Sequence, residues 1–89
     1  MTEAEFRAQA VENGFADFQY KDYASDLDIP LHRHNFAVTL LVTSGEFALQ
    51  FEDRKEIFPT GVVYTLGANV LHGERAGAQG AVALLAKKA

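Results

Sequence analysis

From Leu31 onward, the chain consists of short runs of β-branched and aromatic residues separated by turn-forming residues. Phe47, Leu49 and Phe51 alternate with smaller or more polar side chains, which is the two-residue period of a strand with one buried face. Short strands with frequent turns and no intervening helices are typical of an antiparallel sandwich or barrel. The pattern predicts an all-β fold and argues against a parallel α/β sheet.

Turn-forming residues mark where we expect each strand to end. The predicted turns lie at residues 44–46, 52–55, 59–61, 67–69 and 77–80. The predicted strands lie between them, at residues 34–43, 47–51, 57–58, 62–66, 70–74 and 82–86.

The N-terminal segment has a different pattern, that of one short helix. Thr2 followed by Glu5 matches a capping box, in which each side chain accepts a hydrogen bond from a free backbone amide of the first turn. Helix-forming residues follow, with Phe6 and Ala10 on one face. Gly14 then offers a left-handed stop. The sequence therefore predicts a helix before the strands begin.

The length of 89 residues is enough for one domain. We expect a single domain over residues 1–89, with the helix within residues 1–14 and the barrel core within residues 25–86. The chain contains no cysteine. Disulfides and thiolate metal ligands are therefore excluded, and any metal must use imidazole, carboxylate, carbonyl or water ligands.

The charge of the chain argues against some classes of partner. The net charge is −4, and seven of the twelve acidic residues lie within residues 1–28, which we interpret as a solvated acidic face. No basic patch is present, so binding to nucleic acid through phosphates is not expected. The N-terminus lacks the pattern of a signal peptide and no apolar run is long enough for a membrane span, so we expect no membrane partner and a cytoplasmic location.

All three histidines fall in the strand-rich region. His32 and His34 are two residues apart, a spacing that places both side chains on one face of a strand. The same face continues at alternate positions from 36 to 42 with apolar residues only, so the pair is expected at the mouth of an apolar interior. His72 follows in a later predicted strand. Three converging imidazoles would suit one divalent transition metal ion, of zinc, iron, nickel, manganese or copper, and the ligand types do not select among them. The alternative is that each histidine is a hydrogen-bonded structural residue.

The order of these residues resembles the two motifs of the cupin superfamily. The first motif is G-x5-H-x-H, then three or four residues, a Glu, six residues and a Gly. His32 and His34 match its pair, and Gly45 matches its last glycine. The second motif is G-x5-P-x-G-x2-H-x3-N, in which Gly61 matches the first glycine and His72 the histidine. The resemblance covers residues 25–86 and is strongest to small single-domain bacterial cupins, including barrels like the AraC-type ligand-binding domain.

The resemblance implies a jelly-roll barrel, but the chain departs from the motifs at several positions. The Glu of the first motif falls at Val38, and neither it nor Thr39 is a carboxylate. In the second motif, Gly67 replaces the Pro, Asn69 replaces the Gly, and the final Asn falls at Ala76. The resemblance therefore implies a site of three histidines, His32, His34 and His72, with no fourth ligand from the motif.

Four other side chains are candidates for chemistry near the histidines. Glu74 shares a strand face with His72, where it is a candidate for orienting an imidazole or for acting as a base. Arg33 and Arg75 are candidates for binding an anionic substrate, although both alternate away from the histidine face. Tyr64 is a candidate for a hydroxyl in the cavity, against the alternative of an ordinary core tyrosine.

Three functions are compatible with this sequence. The first is a metal-binding cupin of unassigned reaction that binds or converts a small molecule in an apolar cavity. The second is a non-catalytic sensor barrel that binds a small molecule with or without a metal ion. The third is a degenerate barrel whose role is oligomer formation. We expect a homodimer in each case, with the aromatic segment 15–23 as the candidate contact.

Overall fold

The computed structural model describes residues 1–89 and contains one helix and six strands. The elements are α1 (Glu3–Glu12), β1 (Ala16–Tyr23), β2 (Asp28–His32), β3 (Ala37–Gln50), β4 (Lys55–Pro59), β5 (Val63–Leu66) and β6 (His72–Lys88). All strand pairs are antiparallel, in the order β1-β6-β3-β4, with β2 also paired to β6 and β5 to β3. The prediction of an antiparallel all-β fold with one short N-terminal helix is confirmed.

The two long strands β3 and β6 organise the sheet. They pair with each other from Ala37 opposite Lys88 to Gln50 opposite Gly73. The first part of β6 also pairs with β2, and its last part pairs with β1. Because β1 belongs to this sheet, the sheet begins at Ala16.

The predicted breaks at residues 44–46 and 77–80 do not end a strand, although residues 77–80 have no partner in the strand register. Strand β3 continues through Gly45 and strand β6 through Gly80, each with a register shift beside it. Both glycines have positive φ, +73° and +71°. A Cβ on Gly45 would lie 2.1 Å from the carbonyl oxygen of Gly80. The glycines therefore bend two paired strands together at a point of close backbone approach, and they do not end the strands.

The interior of the barrel is filled by side chains from alternate positions of these strands. The main cluster contains Tyr23, Leu40, Val42, Phe47, Leu49, Phe51, Phe58, Leu66, Ala81, Ala83 and Leu85. Positions 40 and 42 belong to the face that the sequence predicts to be apolar. Burial of apolar surface stabilises a fold by about 25 cal/mol per Å². Burial of this cluster is therefore the main favourable contribution to folding.

Helix α1 packs on the outer face of the same strands. The predicted capping box is present, with Thr2 N donating to Glu5 Oε1 over 2.9 Å and Glu5 N donating to Thr2 Oγ1 over 3.1 Å. Phe6 is buried against Leu41 and Leu84, which point away from the barrel interior. The helix covers the outer face of β3 while the core covers its inner face. Consecutive residues of this strand are therefore both buried.

Aromatic side chains at both ends of segment 15–23 pack within the chain. Phe15 is buried against Ala10 and Ala86, and Tyr23 lies in the main cluster. Tyr20 is the exposed aromatic residue of β1, with 57% of its surface accessible. No helix in the structure has the length and apolar character needed to cross a membrane.

Candidate functional site

His32 and His72 are brought together by strand pairing. His32 is the last residue of β2 and His72 the first of β6, and the two are direct partners in the antiparallel register. Partners of this kind project from the same face of a sheet. Their ring centroids are 4.5 Å apart. The register, therefore, places two imidazoles side by side although 39 residues separate them on the chain, from position 33 to position 71.

His34 reaches the same place by a different route from the one predicted. The predicted strand over 34–43 is wrong at its start, because His34 lies in the bend between β2 and β3, and β3 begins at Ala37. The backbone amide of Asn69 donates to the carbonyl oxygen of His34 over 2.7 Å. Asn69 has a φ of +63°, a conformation that asparagine tolerates better than most residues. The turn before β6 thereby holds the His34 segment against the barrel.

The three imidazoles form one cluster. The ring centroid of His34 is 4.7 Å from that of His32 and 5.0 Å from that of His72. One potential ligand atom from each of the three residues lies within 4.8 Å of the others. His72 is buried, with 2% of its surface accessible, whereas His32 and His34 are half-buried. The structure thus brings together all three histidines that the sequence singles out.

Hydrogen bonds set the tautomer of two of these rings. Nδ1 of His32 lies 2.8 Å from the carbonyl oxygen of Pro30, and Nδ1 of His72 lies 2.8 Å from that of Val70. A carbonyl only accepts, so each Nδ1 carries the proton and donates it. In a neutral imidazole, the other nitrogen then has a free lone pair. Nε2 of both rings is therefore prepared to bind a metal ion, in the arrangement that backbone carbonyls commonly give to metal-binding histidines.

Glu74 lies beside this cluster. Its Oε2 is 3.4 Å from Nε2 of His32, and only a small part of its side chain is accessible. Since Nδ1 of His32 already carries the proton of the neutral ring, Nε2 and the carboxylate are two acceptors that face each other. This arrangement is favourable only with a cation between them, either a second proton on the ring or a metal ion. Two ligand atoms at about 2.1 Å from a tetrahedral ion lie about 3.4 Å apart, which matches this separation.

The environment of His34 favours its neutral form. Burial lowers the pKa of His34, and the adjacent His32 and His72 lower it further. Its Nδ1 is buried and has no hydrogen-bond partner. The ring stacks on Phe36 at a centroid distance of 4.9 Å. A neutral imidazole with an unpartnered buried nitrogen is chemically suited to coordination, so the residues of the cluster fit a metal ion.

The cluster opens onto a cavity of about 260 Å³ inside the barrel. Its walls are largely apolar and include Val38, which stands where the cupin motif has its carboxylate. The polar lining consists of His34, His72, Glu74, Gln19, Lys21 and Lys87, with the hydroxyl-bearing Tyr23. Gln19, Lys21 and Lys87 are not among the site residues predicted from the sequence. Gln19 and Lys21 alternate with Tyr23 on β1, and Lys87 alternates with Leu85 on β6. This spacing indicates a shared pocket face only once the pairing of β1 with β6 is known.

The remaining candidates lie away from the histidine cluster. Arg75 forms an ion pair with Asp28, and the side chain of Arg33 is exposed. Tyr64 packs against Phe58 at a centroid distance of 4.6 Å and does not line the cavity. The structure thus assigns Tyr64 to packing and places neither arginine at the pocket.

The sequence matches no protein-family model and no curated protein. The fold, however, matches solved structures. A protein of unknown function from Rhizobium leguminosarum bv. viciae 3841 superposes with a TM-score of 0.74 at 13% identity, over 80% of this chain and 67% of that one. A cupin-2 domain containing protein from Shewanella frigidimarina matches with a TM-score of 0.68 at 19% identity, over 82% of this chain and 72% of that one.

A cupin superfamily protein from Desulfitobacterium hafniense also matches, with a TM-score of 0.68 at 18% identity, over 80% of this chain and 64% of that one. The chain thus spans about two thirds of the length of these three proteins. At such identities the likeness concerns the fold alone. Together with the antiparallel barrel and its short helix, it shows that this chain has the fold of a small cupin.

Proposed function

We propose that this chain is a metal-binding cupin that holds one divalent transition metal ion with His32, His34 and His72 and binds a small molecule in the adjoining apolar pocket. Glu74 is proposed as the carboxylate of the site, in place of the motif glutamate that Val38 replaces. The reaction, if one occurs, stays unassigned.

The observation that carries this proposal is the arrangement of the imidazole nitrogens. In His32 and His72, Nδ1 donates to a backbone carbonyl, so Nε2 is the nitrogen left for a metal ion beside the third ring. Three structural histidines would each need a separate hydrogen-bond partner, yet Nδ1 of His34 has none. A shared metal ion accounts for all three rings at once.

Each residue has a distinct role in this proposal. The three histidines hold the ion, and the carbonyls of Pro30 and Val70 fix the orientation of two of the rings. A bound divalent ion would supply Lewis acidity, which polarises an oxygen of a bound molecule. Glu74 lies where it can accept a proton from that molecule or stabilise the ion, and the apolar walls limit access of water.

Metal stoichiometry tests the proposal. The protein, purified without a histidine tag, is stripped with a chelator, reloaded with zinc, and desalted before elemental analysis. We expect about one zinc per chain in the wild type and a loss of at least about tenfold in affinity for His72→Gln, since a site that loses one of three protein ligands binds weakly. Asn35→Ala, which changes an exposed side chain beside His34, is the matched control and should keep full occupancy.

Glu74→Gln separates the role of the carboxylate from that of the histidines. This variant keeps the size of the side chain but removes its charge, so we expect zinc affinity to fall by about tenfold while the stoichiometry at saturation stays near one. Less than about a tenth of an equivalent of zinc in the wild type, or equal zinc retention by wild type and His72→Gln, would contradict the metal site.

A metal-free barrel that binds a small molecule is the second candidate. The observation that favours it is Val38, an apolar residue of the pocket wall at the motif position of the carboxylate. A screen of metabolites by thermal unfolding in the presence of a chelator tests it, because a ligand that binds the folded state raises the melting temperature by mass action. Ligand-induced stabilisation that does not depend on metal would favour this candidate, and stabilisation that needs metal would favour the first.

A further inference from the structure

We propose that the pocket binds a small organic carboxylate, whose anionic group is held by Lys21 and Lys87 at the rim and whose apolar body enters the barrel. This inference rests on the proposed use of the pocket as a binding site. It adds the chemical class of the ligand and two residues that recognise it.

The two lysines of the pocket come from different strands. Lys21 lies on β1 and Lys87 near the end of β6, and both line the cavity. Nζ of Lys21 is 5.2 Å from the ring centroid of Tyr23, and Nζ of Lys87 is 5.1 Å from that of Phe36. Both rings also line the cavity. The ammonium groups are thus held over the pocket walls by cation–π contacts.

Neither lysine is neutralised by an acidic side chain of the chain. The ion pairs of the protein involve His32, Arg54 and Arg75, and none includes Lys21 or Lys87. The chain has twelve acidic and eight basic residues, so acidic partners are abundant. Two unpaired ammonium groups at one rim are therefore a local exception in an acidic protein. An anion in the pocket is attracted by both ammonium groups.

The lysines lie close to the histidine cluster. The Phe36 ring contacts both groups. It stacks on His34 of the cluster, and the ammonium group of Lys87 lies over the same ring. Lys21 lines the same cavity as His34 and His72. An anionic group at this rim would therefore lie between the ammonium groups and the proposed metal ion.

The charge balance of the pocket selects the sign of the ligand. Lys21 and Lys87 contribute two positive charges and Glu74 one negative charge, while neutral imidazoles contribute none. The pocket is thus positive without a metal ion and more positive with one. An organic anion is therefore favoured in both states.

The shape of the pocket selects an apolar body of limited size. The walls below the rim are formed by Val38, Leu40, Phe47, Leu49, Leu66 and Leu85. The cavity volume is about 260 Å³, which suits a small molecule. A short-chain or monocyclic carboxylate satisfies both the apolar walls and the charged rim.

Calorimetric titration with hexanoate tests this inference, with hexanamide as the neutral analogue of the same shape and acetate as the anion without an apolar body. We expect hexanoate to bind about tenfold more tightly than either, a difference of about 1.4 kcal/mol. Lys21→Gln and Lys87→Gln should each weaken hexanoate binding by about tenfold and leave hexanamide binding unchanged. Lys55→Gln, at an exposed lysine of β4 outside the pocket, is the matched control and should bind hexanoate as the wild type does.

The titrations are made both in chelator and after zinc loading, so that this inference and the metal site fail separately. Lysine-dependent hexanoate binding in either state supports the inference, even if no zinc is retained. Equal affinity for hexanoate and hexanamide, no effect of either lysine substitution, or no binding of hexanoate at millimolar concentration in both states would overturn it, even if zinc is retained.

Discussion

Tyr23 is the residue at which the barrel core meets the pocket. Its side chain is buried, its ring centroid lies 4.6 Å from that of Phe47, and it also lines the cavity. Burial raises the pKa of Tyr23 well above the usual 10.0, and the nearby charge of Glu74 raises it further. The folded protein therefore keeps this phenol protonated at pH values where a tyrosine in the unfolded chain ionises.

The raised pKa of Tyr23 predicts a loss of stability at alkaline pH. Above about pH 10 the unfolded chain releases the Tyr23 proton and the folded chain retains it, so the free energy of unfolding falls as pH rises through this window. Tyr23→Phe removes this proton from both states. Between about pH 9 and about pH 11, the free energy of unfolding measured with urea should thus decrease less in the variant than in the wild type.

Tyr20→Phe is the matched control for this experiment, because Tyr20 is on the same strand and largely exposed. It should show the pH dependence of the wild type. If the free energy of unfolding decreased equally in the wild type and in Tyr23→Phe, the Tyr23 phenol would ionise as readily in the folded state as in the unfolded state.

At the scale of residues, the sequence predicts the site better than the pocket around it. The three histidines follow from motif spacing, and Glu74 follows from its alternation with His72 along one strand. Lys21 and Lys87 could not be assigned in this way. Their shared rim depends on pairing between strands far apart in the chain, and a single sequence contains no record of that pairing.

The bend in β3 and β6 is the feature of the elements that shapes the barrel. Gly45 and Gly80 both adopt positive φ, and their backbones approach too closely for a Cβ. Leu40 and Leu85 line the pocket, and their neighbours Leu41 and Leu84 contact helix α1 on the opposite face. The glycines at these positions predict turns, because glycine is common in turns. A glycine that bends a continuous strand looks the same in the sequence until its partner strand is known.

This bend predicts a difference between two Gly→Ala substitutions. Gly61 has a φ of +91° with nothing within 4 Å of an added Cβ, so Gly61→Ala tests the backbone conformation alone. We expect a cost of about 1–2 kcal/mol at that position. Gly45→Ala carries the same kind of strain and an additional clash with the Gly80 carbonyl oxygen, so we expect a cost above about 3 kcal/mol.

Chemical denaturation measures both costs, with the slope against denaturant as a check that the unfolded states are equivalent. Equal costs for Gly45→Ala and Gly61→Ala would show that the close approach at Gly45 is relieved by movement of the backbone. The bend would then not depend on the absence of a side chain.

At the scale of the whole molecule, strand β1 leaves one edge of the sheet unpaired. It pairs with β6 on one side and lies at the end of the strand order. Unpaired edges attract other strands, and proteins cover or protect them. Segment 15–23 is the predicted dimer contact. Some of its aromatic side chains pack inside the chain, but its strand edge and Tyr20 stay accessible.

We expect the chain to form a homodimer through the edge of β1. Light scattering after size exclusion should then give a mass near twice the 9.8 kDa of one chain. Tyr20→Asp should shift the equilibrium toward the monomer, because it adds a like charge on each copy at the contact. Val11→Asp, on the exposed face of α1, is the control and should not. A wild-type mass of one chain at all micromolar concentrations would contradict this expectation.

The proposed metal site has three imidazoles of a small cupin barrel around one ion. X-ray absorption spectroscopy at the zinc edge, on protein loaded with one equivalent of zinc, measures these ligands. We expect three imidazole nitrogens at about 2.0–2.1 Å, and two in His72→Gln. A zinc ion surrounded by oxygen with at most one imidazole, or the same spectrum from wild type and His72→Gln, would contradict it.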